Sequence, residues 1–511
     1  MRWTVSLGAA MAMMLSASPA HAEWHEAKTN HFVLTIDDTA ANARAFAERL
    51  ERFDAALRRL YGVSDDPDQH NRPIQIFAFK EKLFYETCGC ILQLGYYQRR
   101  IQNSVIFSRH MPEIDQKTKD GWWSSQTLIL HEYAHHFANN NFPIAYPYWF
   151  SEGFAEFNAT ARFQPDGGVL IGYPANYRAA AIKSGGHLSP RQLFVPERYS
   201  FGGNIDLLYG RGWLLTHYLM LKKERAGELG AYLDATNKGM DSLAAAERVF
   251  GDLKKLNAEL DAYAKGALAP SLRVAPAGTT IDVTVRALTL GEAAMLPVYA
   301  RVISGIQKGQ RSSVASKAAK IASRFPADPV VQEQWAEAEM AAEHLDRADE
   351  AADAAIRLDP NRVGSLVVKG LVAEARLEET HSIDPASWNT SRGWFVRANR
   401  TNSNAALPLY HYYASFIRSK QAPTRASIKG LRRAQVLAPE SSEPRVMLAR
   451  QLLLDGDVAG TRSLLQPLAF SPHAKSDKNL LKQIIDLIDA GKIVEAKRLI
   501  EPMGKADEKS D

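Results

Sequence analysis

Apolar positions along the chain switch between a period of two and a period near 3.6, and these switches mark its elements. His31-Phe32-Val33-Leu34-Thr35-Ile36 alternates and predicts a strand. Phe46, Leu50, Phe53, Leu57 and Leu60 then recur at helical spacing, so Asp37 to Leu60 reads as a helix capped by Asp38 or Thr39. Pro73 to Phe79 predicts a second strand, and Tyr96-Tyr97-Gln98, Arg99-Arg100 and Ser104-Val105-Ile106-Phe107 predict a hairpin. Helices are expected from about Ser124 to Asn139, Trp149 to Arg162, Pro190 to Leu193 and Tyr209 to Lys223.

The pattern changes after residue 265. Gly266 to Thr280 holds Pro270, Pro276 and two glycines, a linker composition, and Ile281 to Leu288 alternates as one strand. From about Pro297 the chain is helical and rich in Ala, Leu and Arg. Asp328-Pro329, Asp359-Pro360, Ala438-Pro439 and Ser471-Pro472 recur after amphipathic segments such as Ala351 to Leu358, the clearest intervals being 31 residues (329 to 360) and 33 residues (439 to 472). These intervals resemble the ~34-residue tetratricopeptide period of paired helices. The stretch from Glu378 to Asn404 is expected to be irregular, and a plain helical domain is the alternative. The expected organisation is therefore a mixed α+β domain over residues 23–265, a linker and short strand over 266–296, a helical repeat-like domain over 297–503 and a disordered tail over 504–511.

Residues 1–22 read as a secretory signal. Arg2 is followed by an apolar stretch from Val5 to Leu15 and by Ala20-His21-Ala22, a small-residue cleavage site, with an uncleaved anchor as the alternative. The mature chain is expected to start near Glu23 and to be periplasmic or secreted, with no membrane span. The formal net charge of +5 becomes +4 without Arg2, and no Lys/Arg block occurs, so nucleic acid is not an indicated partner. Cys88 and Cys90 are the only cysteines. They either close a small strained disulfide or stay free, and they are too few for a four-thiolate metal site.

Candidate chemistry concentrates in the helix around Thr127 to Phe137. His131 and His135 are spaced i, i+4, which puts two imidazoles on one face, one turn apart. Glu132 projects from nearly the same face, where it can reach a metal-bound water without ligating the metal. His136 is rotated ~100° away and is expected to be structural or to support the site indirectly. Flanking residues are apolar, so these polar side chains need partners, and a divalent cation supplies one. Glu152, in Trp149-Phe150-Ser151-Glu152-Gly153-Phe154-Ala155-Glu156, follows His135 after 16 intervening residues and offers a third ligand. Gly153 would permit close helix packing beside the metal, and Glu156, one turn on, is placed to accept a hydrogen bond from a ligand histidine. The alternative for Ser151 and its neighbours is an ordinary helix cap.

His131-Glu132-Tyr133-Ala134-His135 joined to Trp149-Phe150-Ser151-Glu152-Gly153-Phe154-Ala155-Glu156 resembles the gluzincin superfamily of metallopeptidases, in particular the peptidase-MA-like group. The resemblance extends over about Trp24 to Lys223 and, loosely, to the helical tail. It implies a zincin-like catalytic domain, one Zn2+ per chain held by His131, His135 and Glu152, and Glu132 as general base. Two departures narrow it. The spacing to Glu152 is shorter than in the aminopeptidases of that superfamily, and their Gly-x-Met-Glu-Asn segment has no counterpart before His131, so an endopeptidase or a peptidase of narrow specificity is favoured.

Such a ligand set activates water and polarises a carbonyl; Glu132 takes the proton and passes it to the leaving amine. Tyr209, in Leu207-Leu208-Tyr209-Gly210-Arg211, is the candidate donor to the oxyanion, with a packed core tyrosine as its alternative and His217 or Tyr199 as weaker candidates. A strand at Gly95-Tyr96-Tyr97 or Ser104 to Phe107 is expected to edge the cleft and pair with an extended peptide. Three functions compete: an active zinc endopeptidase acting on a peptide or protein, an inactive zinc-binding scaffold recruiting an envelope protein through its repeats, and a repeat adaptor with an incidental motif. An intact Glu132 favours the first.

Overall fold

The computed structural model describes residues 24–503 apart from 68–69, 71, 89–92, 112–123, 180–181, 183–187, 196–204, 267, 269–270, 279 and 472–478. The signal segment, the Cys88-Gly89-Cys90 pairing, Tyr199 and the tail from residue 504 lie outside the described residues.

The N-terminal part is built on β1 (Trp24–Lys28), β2 (Phe32–Asp37), α1 (Ala40–Tyr61), β3 (Ile74–Phe79), α2 (Glu81–Cys88), β4 (Gly95–Gln98) and β5 (Val105–Arg109). There follow α3 (Ser125–Asn141), α4 (Tyr148–Ala159), β6 (Arg162–Phe163), β7 (Val169–Ile171), α5 (Pro190–Phe194) and α6 (Ile205–Leu221). Next come α7 (Glu228–Asn237), α8 (Ser242–Phe250), α9 (Leu253–Lys265), β8 (Leu272–Val274) and β9 (Thr284–Ala287). The main sheet has the order β4-β5-β3-β2-β1-β9. Its centre, β2, β3 and β5, is parallel, while β1, β4 and β9 run antiparallel to their neighbours. A small antiparallel sheet, β6-β7-β8, stands apart from it.

Strand alternation assigns the two faces. Phe32, Leu34 and Ile36 of β2, Ile74, Ile76 and Ala78 of β3, and Ile106 of β5 join the large core with α1, α3 and α4. Phe77 and Phe79 of β3 and Val105 and Phe107 of β5 point the other way, onto Phe84 of α2 and onto Leu296, Ala300 and Ile303 of α10 (Leu290–Ser304). Both faces are thus covered, which is why β3 reads as a nearly continuous apolar run. Thr39 caps α1, accepting from Asn42 N–H, and Ser124 caps α3, accepting from Thr127 N–H.

Beyond α10 the chain is helical: α11 (Arg311–Ala322), α12 (Pro329–Ala341), α13 (Leu345–Leu358), α14 (Val363–Glu379), α15 (Pro385–Thr401) and α16 (Ala406–Arg418). It continues with α17 (Arg425–Leu437), α18 (Ser442–Asp455), α19 (Val458–Ala469), α20 (Leu480–Asp489) and α21 (Ile493–Ile500). Each of these helices packs on the next in sequence. The molecule is therefore a mixed α/β N-terminal part followed by a helical C-terminal region. No described helix is long and apolar enough to cross a membrane.

Several expectations need correction. The segment 266–296 is not a bare linker with one strand: β8 pairs with β7, and β9 pairs with β1 at the edge of the main sheet. Turn-rich composition hid β8 because only three residues of it pair. The stretch expected to be irregular, 378–404, holds α15, with Pro385 at its first turn and Asp384 as its N-cap. Its large apolar residues, Trp388 and the run Trp394-Phe395-Val396, do not recur at a clear helical spacing, yet Trp388 and Phe395 are buried. Ser151 is not a helix start, because α4 begins at Tyr148 behind Pro147.

Candidate metal centre

Two helices and the polypeptide geometry of each carry the donors. On α3, His131 and His135 face the cleft one turn apart, while Tyr133 and Phe137 turn into the core. On α4, Glu152 and Glu156 are likewise one turn apart. His135 Nε2 lies 3.2 Å from His131 Nε2, and Glu152 Oε2 lies 3.4 Å and 3.6 Å from the two nitrogens. These three side chains form one of three groups among the described residues whose donor atoms could share a metal ion. Glu152 Oε2 is buried without a hydrogen-bond partner, as is His131 Nδ1. A carboxylate oxygen left so between two imidazoles is the arrangement a cation would complete.

Carboxylates dominate the electrostatics of the group. Burial alone would lower the His131 pKa, but the Glu152, Glu156 and Glu132 carboxylates outweigh it and raise it to about 9. Burial alone would raise Glu152, yet the His135 and His131 imidazoles hold it far below the usual carboxylate range. Glu132 is pushed up by burial, against the pull of both histidines. Its carboxylate faces β4, where the Tyr97 backbone acts in the same direction as the histidines. A Cβ on Gly95 would lie 3.7 Å from Glu132 Oε1, so the edge strand passes directly beside this side chain.

Glu156 is fully buried, with Oε1 3.6 Å from His131 Nδ1, too far for the hydrogen bond expected of it. Its partners are Tyr177, whose hydroxyl donates at 2.5 Å, and Arg178, which donates from Nη2 at 2.7 Å and from Nε at 3.1 Å. A short 3₁₀ turn, Asn176–Arg178, delivers both. Arg178 also reaches Asp206 at the start of α6 and lies over the Tyr209 ring, 4.7 Å from its centroid. Tyr209 in turn stacks on His131, with centroids 6.2 Å apart and planes 20° apart. Tyr209 therefore lines the site, hydrogen-bonded to Tyr148 and with burial pushing its pKa well up.

Around these groups opens a cavity of about 900 Å³. Gly95 and Tyr97 of β4 form one wall, Tyr209 another, and the helical region contributes Pro467 and Ser471. The helical region is held there at two places. Arg72 and the fully buried Glu440 form a two-point pair at 2.6 Å and 3.3 Å, Ser104 donates to the same carboxylate at 2.7 Å, and Ile101 packs on Ala434, Leu437 and Ala438. On the other side the Phe470 ring lies against Gly239.

His131, Glu132, His135, Glu152 and Tyr209 are thus brought to one cleft, and β4 is an edge strand beside it. His217 is not in the site. It is buried between Gly172 O, 3.1 Å from Nε2, and Tyr263 OH, 2.8 Å from Nδ1. Gly153 does not face α3; it meets Gly212 of α6, which in turn abuts Trp149 of α4. His136 points away from the cleft toward Tyr97 OH, at 3.2 Å. Tyr177, Arg178 and Glu440 escaped the sequence reading, since none sits in a spaced motif and each is identified only by what it touches. Family models and curated proteins offer no match to this chain.

Proposed function

We propose that the protein is a zinc-dependent metallopeptidase, with His131, His135 and Glu152 holding one zinc and Glu132 acting as general base. One observation carries this reading: the buried Glu152 Oε2, without a hydrogen-bond partner, lies within 3.6 Å of two imidazole nitrogens. Two imidazoles and one carboxylate match a catalytic rather than a closed structural zinc site. Zinc bound there supplies Lewis acidity, polarising a carbonyl and making water nucleophilic near neutral pH. The chain's own groups do the rest. Glu132 accepts the proton of the attacking water and returns it to the leaving amine, a task that its raised pKa suits. Tyr209 OH stabilises the oxyanion, and Arg178 holds its ring from behind. An extended peptide adds to the β4 edge, whose outer side has no strand partner among the described residues.

The gluzincin-like fold and the tetratricopeptide-like character of the helical region belong to this same proposal. The cavity, partly covered by Pro467 and Ser471, suits a short extended segment and supports endopeptidase action on an unfolded stretch of a peptide or protein in the periplasm or outside the cell. The test pairs metal analysis with peptide-library cleavage. Protein purified without added metal should carry zinc, lose both zinc and activity to a chelator, and regain both on zinc addition. Glu132→Gln should keep the zinc and lose cleavage; cleavage that survives in Glu132→Gln refutes the mechanism.

A further inference from the structure

We propose that His31, Asp65 and His70 form a second divalent-cation site, suited to zinc and separate from the His131–His135–Glu152 centre. His31 immediately precedes β2, and the other two lie in the connection from α1 to β3. His31 Nε2 is 3.1 Å from Asp65 Oδ1, and His70 Nε2 is 2.9 Å from the same oxygen. One donor atom from each of the three residues lies within 4.8 Å of the others. The imidazoles meet edge to face with centroids 4.8 Å apart. Zinc bonds of ~2.0–2.1 Å in a tetrahedron separate ligand atoms by roughly 3.3 Å, close to the distances of both imidazole nitrogens from Asp65 Oδ1.

A second observation points the same way. Glu51 lies behind His31, with Oε2 2.8 Å from Nδ1 and Oε1 accepting the His31 backbone N–H at 2.9 Å. A carboxylate on Nδ1 fixes the ring and leaves Nε2 to face the cation, the support that metal-bound histidines ordinarily receive. Glu51, Asp54 and Asp65 face two cations, Arg58, which is paired with Asp54, and Arg72, which is paired with Glu440, so carboxylates remain in excess around His31. Asp65 is half exposed, which gives an ion access from solvent.

The site lies behind α3, away from the cleft: Tyr133 of that helix donates to Asp54 at 2.5 Å. An ion there ties the start of β2 to the α1–β3 connection, which ends next to Arg72, the residue that grips Glu440. Its role is to brace this connection; the donor set at the cleft is untouched.

Zinc binding to the full chain tests the site independently of catalysis. Wild type should bind two equivalents by dialysis and metal analysis. His131→Ala/His135→Ala should retain one, and adding His70→Ala or Asp65→Asn should weaken that one at least tenfold. Glu51→Gln should weaken it about 10- to 100-fold. In otherwise wild-type protein, the surface change His70→Ala should lower the count from two to one. A single equivalent in wild type that His131→Ala/His135→Ala abolishes would overturn this proposal and leave the peptidase reading standing. Retained zinc indifferent to His70→Ala would overturn it equally. A single equivalent in wild type that survives His131→Ala/His135→Ala and is removed by His70→Ala would count against the peptidase reading instead.

Discussion

Replacing Gly153 by alanine should loosen the metal centre from behind, through a contact no catalytic residue makes. A methyl at Gly153 falls on the Gly212 carbonyl oxygen and on Thr216 Oγ1, with the Gly212 carbonyl carbon at 2.7 Å. The approach is tight from both sides, because a methyl on Gly212 would lie 2.6 Å from the Trp149 carbonyl oxygen. Carbon contacts are comfortable at about 3.5–4.0 Å, so α4 and α6 must separate by roughly 1 Å. The obstacle is partly main chain, which cannot rotate away, and overpacking of this kind costs about 3 kcal/mol. Alanine's better helix propensity offsets about 1 kcal/mol, leaving a net loss of about 2 kcal/mol. For a unit of this size that is a fall in Tm of roughly 4–8 °C. Glu152 adjoins Gly153, so zinc affinity should fall along with stability. Thermal unfolding followed with and without zinc, together with competitive zinc titration, reads both effects. Gly230→Ala is the control: this exposed helical glycine has nothing within 4 Å, and its replacement should stabilise by up to about 1 kcal/mol. A Gly153→Ala protein as stable as wild type and with undiminished zinc affinity would refute the close-packing argument.

Other expectations follow from the same geometry. Tyr209→Phe should lower kcat about 100- to 1,000-fold while zinc content and KM hold, as loss of an oxyanion donor does; an unchanged kcat makes Tyr209 a packing residue. Glu440→Ala leaves the Arg72 guanidinium buried without its countercharge and should cost about 3–5 kcal/mol in denaturant unfolding. Burial alone would raise Glu440, but Arg72 and His136 hold its carboxyl below the usual range, with Arg445 as the other nearby cation. A depressed folded-state pKa contributes stability that is present above the unfolded value, about 4.3, and lost as pH falls through the folded one. Wild type should accordingly lose more stability than Glu440→Gln on acidification below about pH 4.3, and parallel curves would count against the pairing. Arg178→Lys should preserve the fold but raise the dissociation constant for zinc, since one ammonium cannot reproduce the guanidinium contacts to Glu156 and Asp206; unchanged zinc affinity would show that Glu156 needs no such support.

The sequence by itself determined the elements whose period is long and clean. Helix α1, strands β2 and β3, the β4–β5 hairpin and helix α3 were all legible, because burial imposes either a regular apolar spacing, as in α1, or a continuous apolar run, as in β3; which of Asp38 and Thr39 caps α1 was decided by the structure. It also marked His131 and His135 as candidate donors, since i, i+4 spacing on a helix is a local property. Whether those donors converge was not local. The approach of Glu152 to His131 and His135 depends on α4 packing between α3 and α6, which Gly153 and Gly212 permit from opposite helices. Likewise β8 and β9 are strands only because β7 and β1 offer edges to them, and no short stretch announces its partner. Tyr177, Arg178 and Glu440 acquire their roles from contacts made across 21 to 368 residues of chain. A buried polar group is defined by its surroundings, and tertiary packing alone creates them.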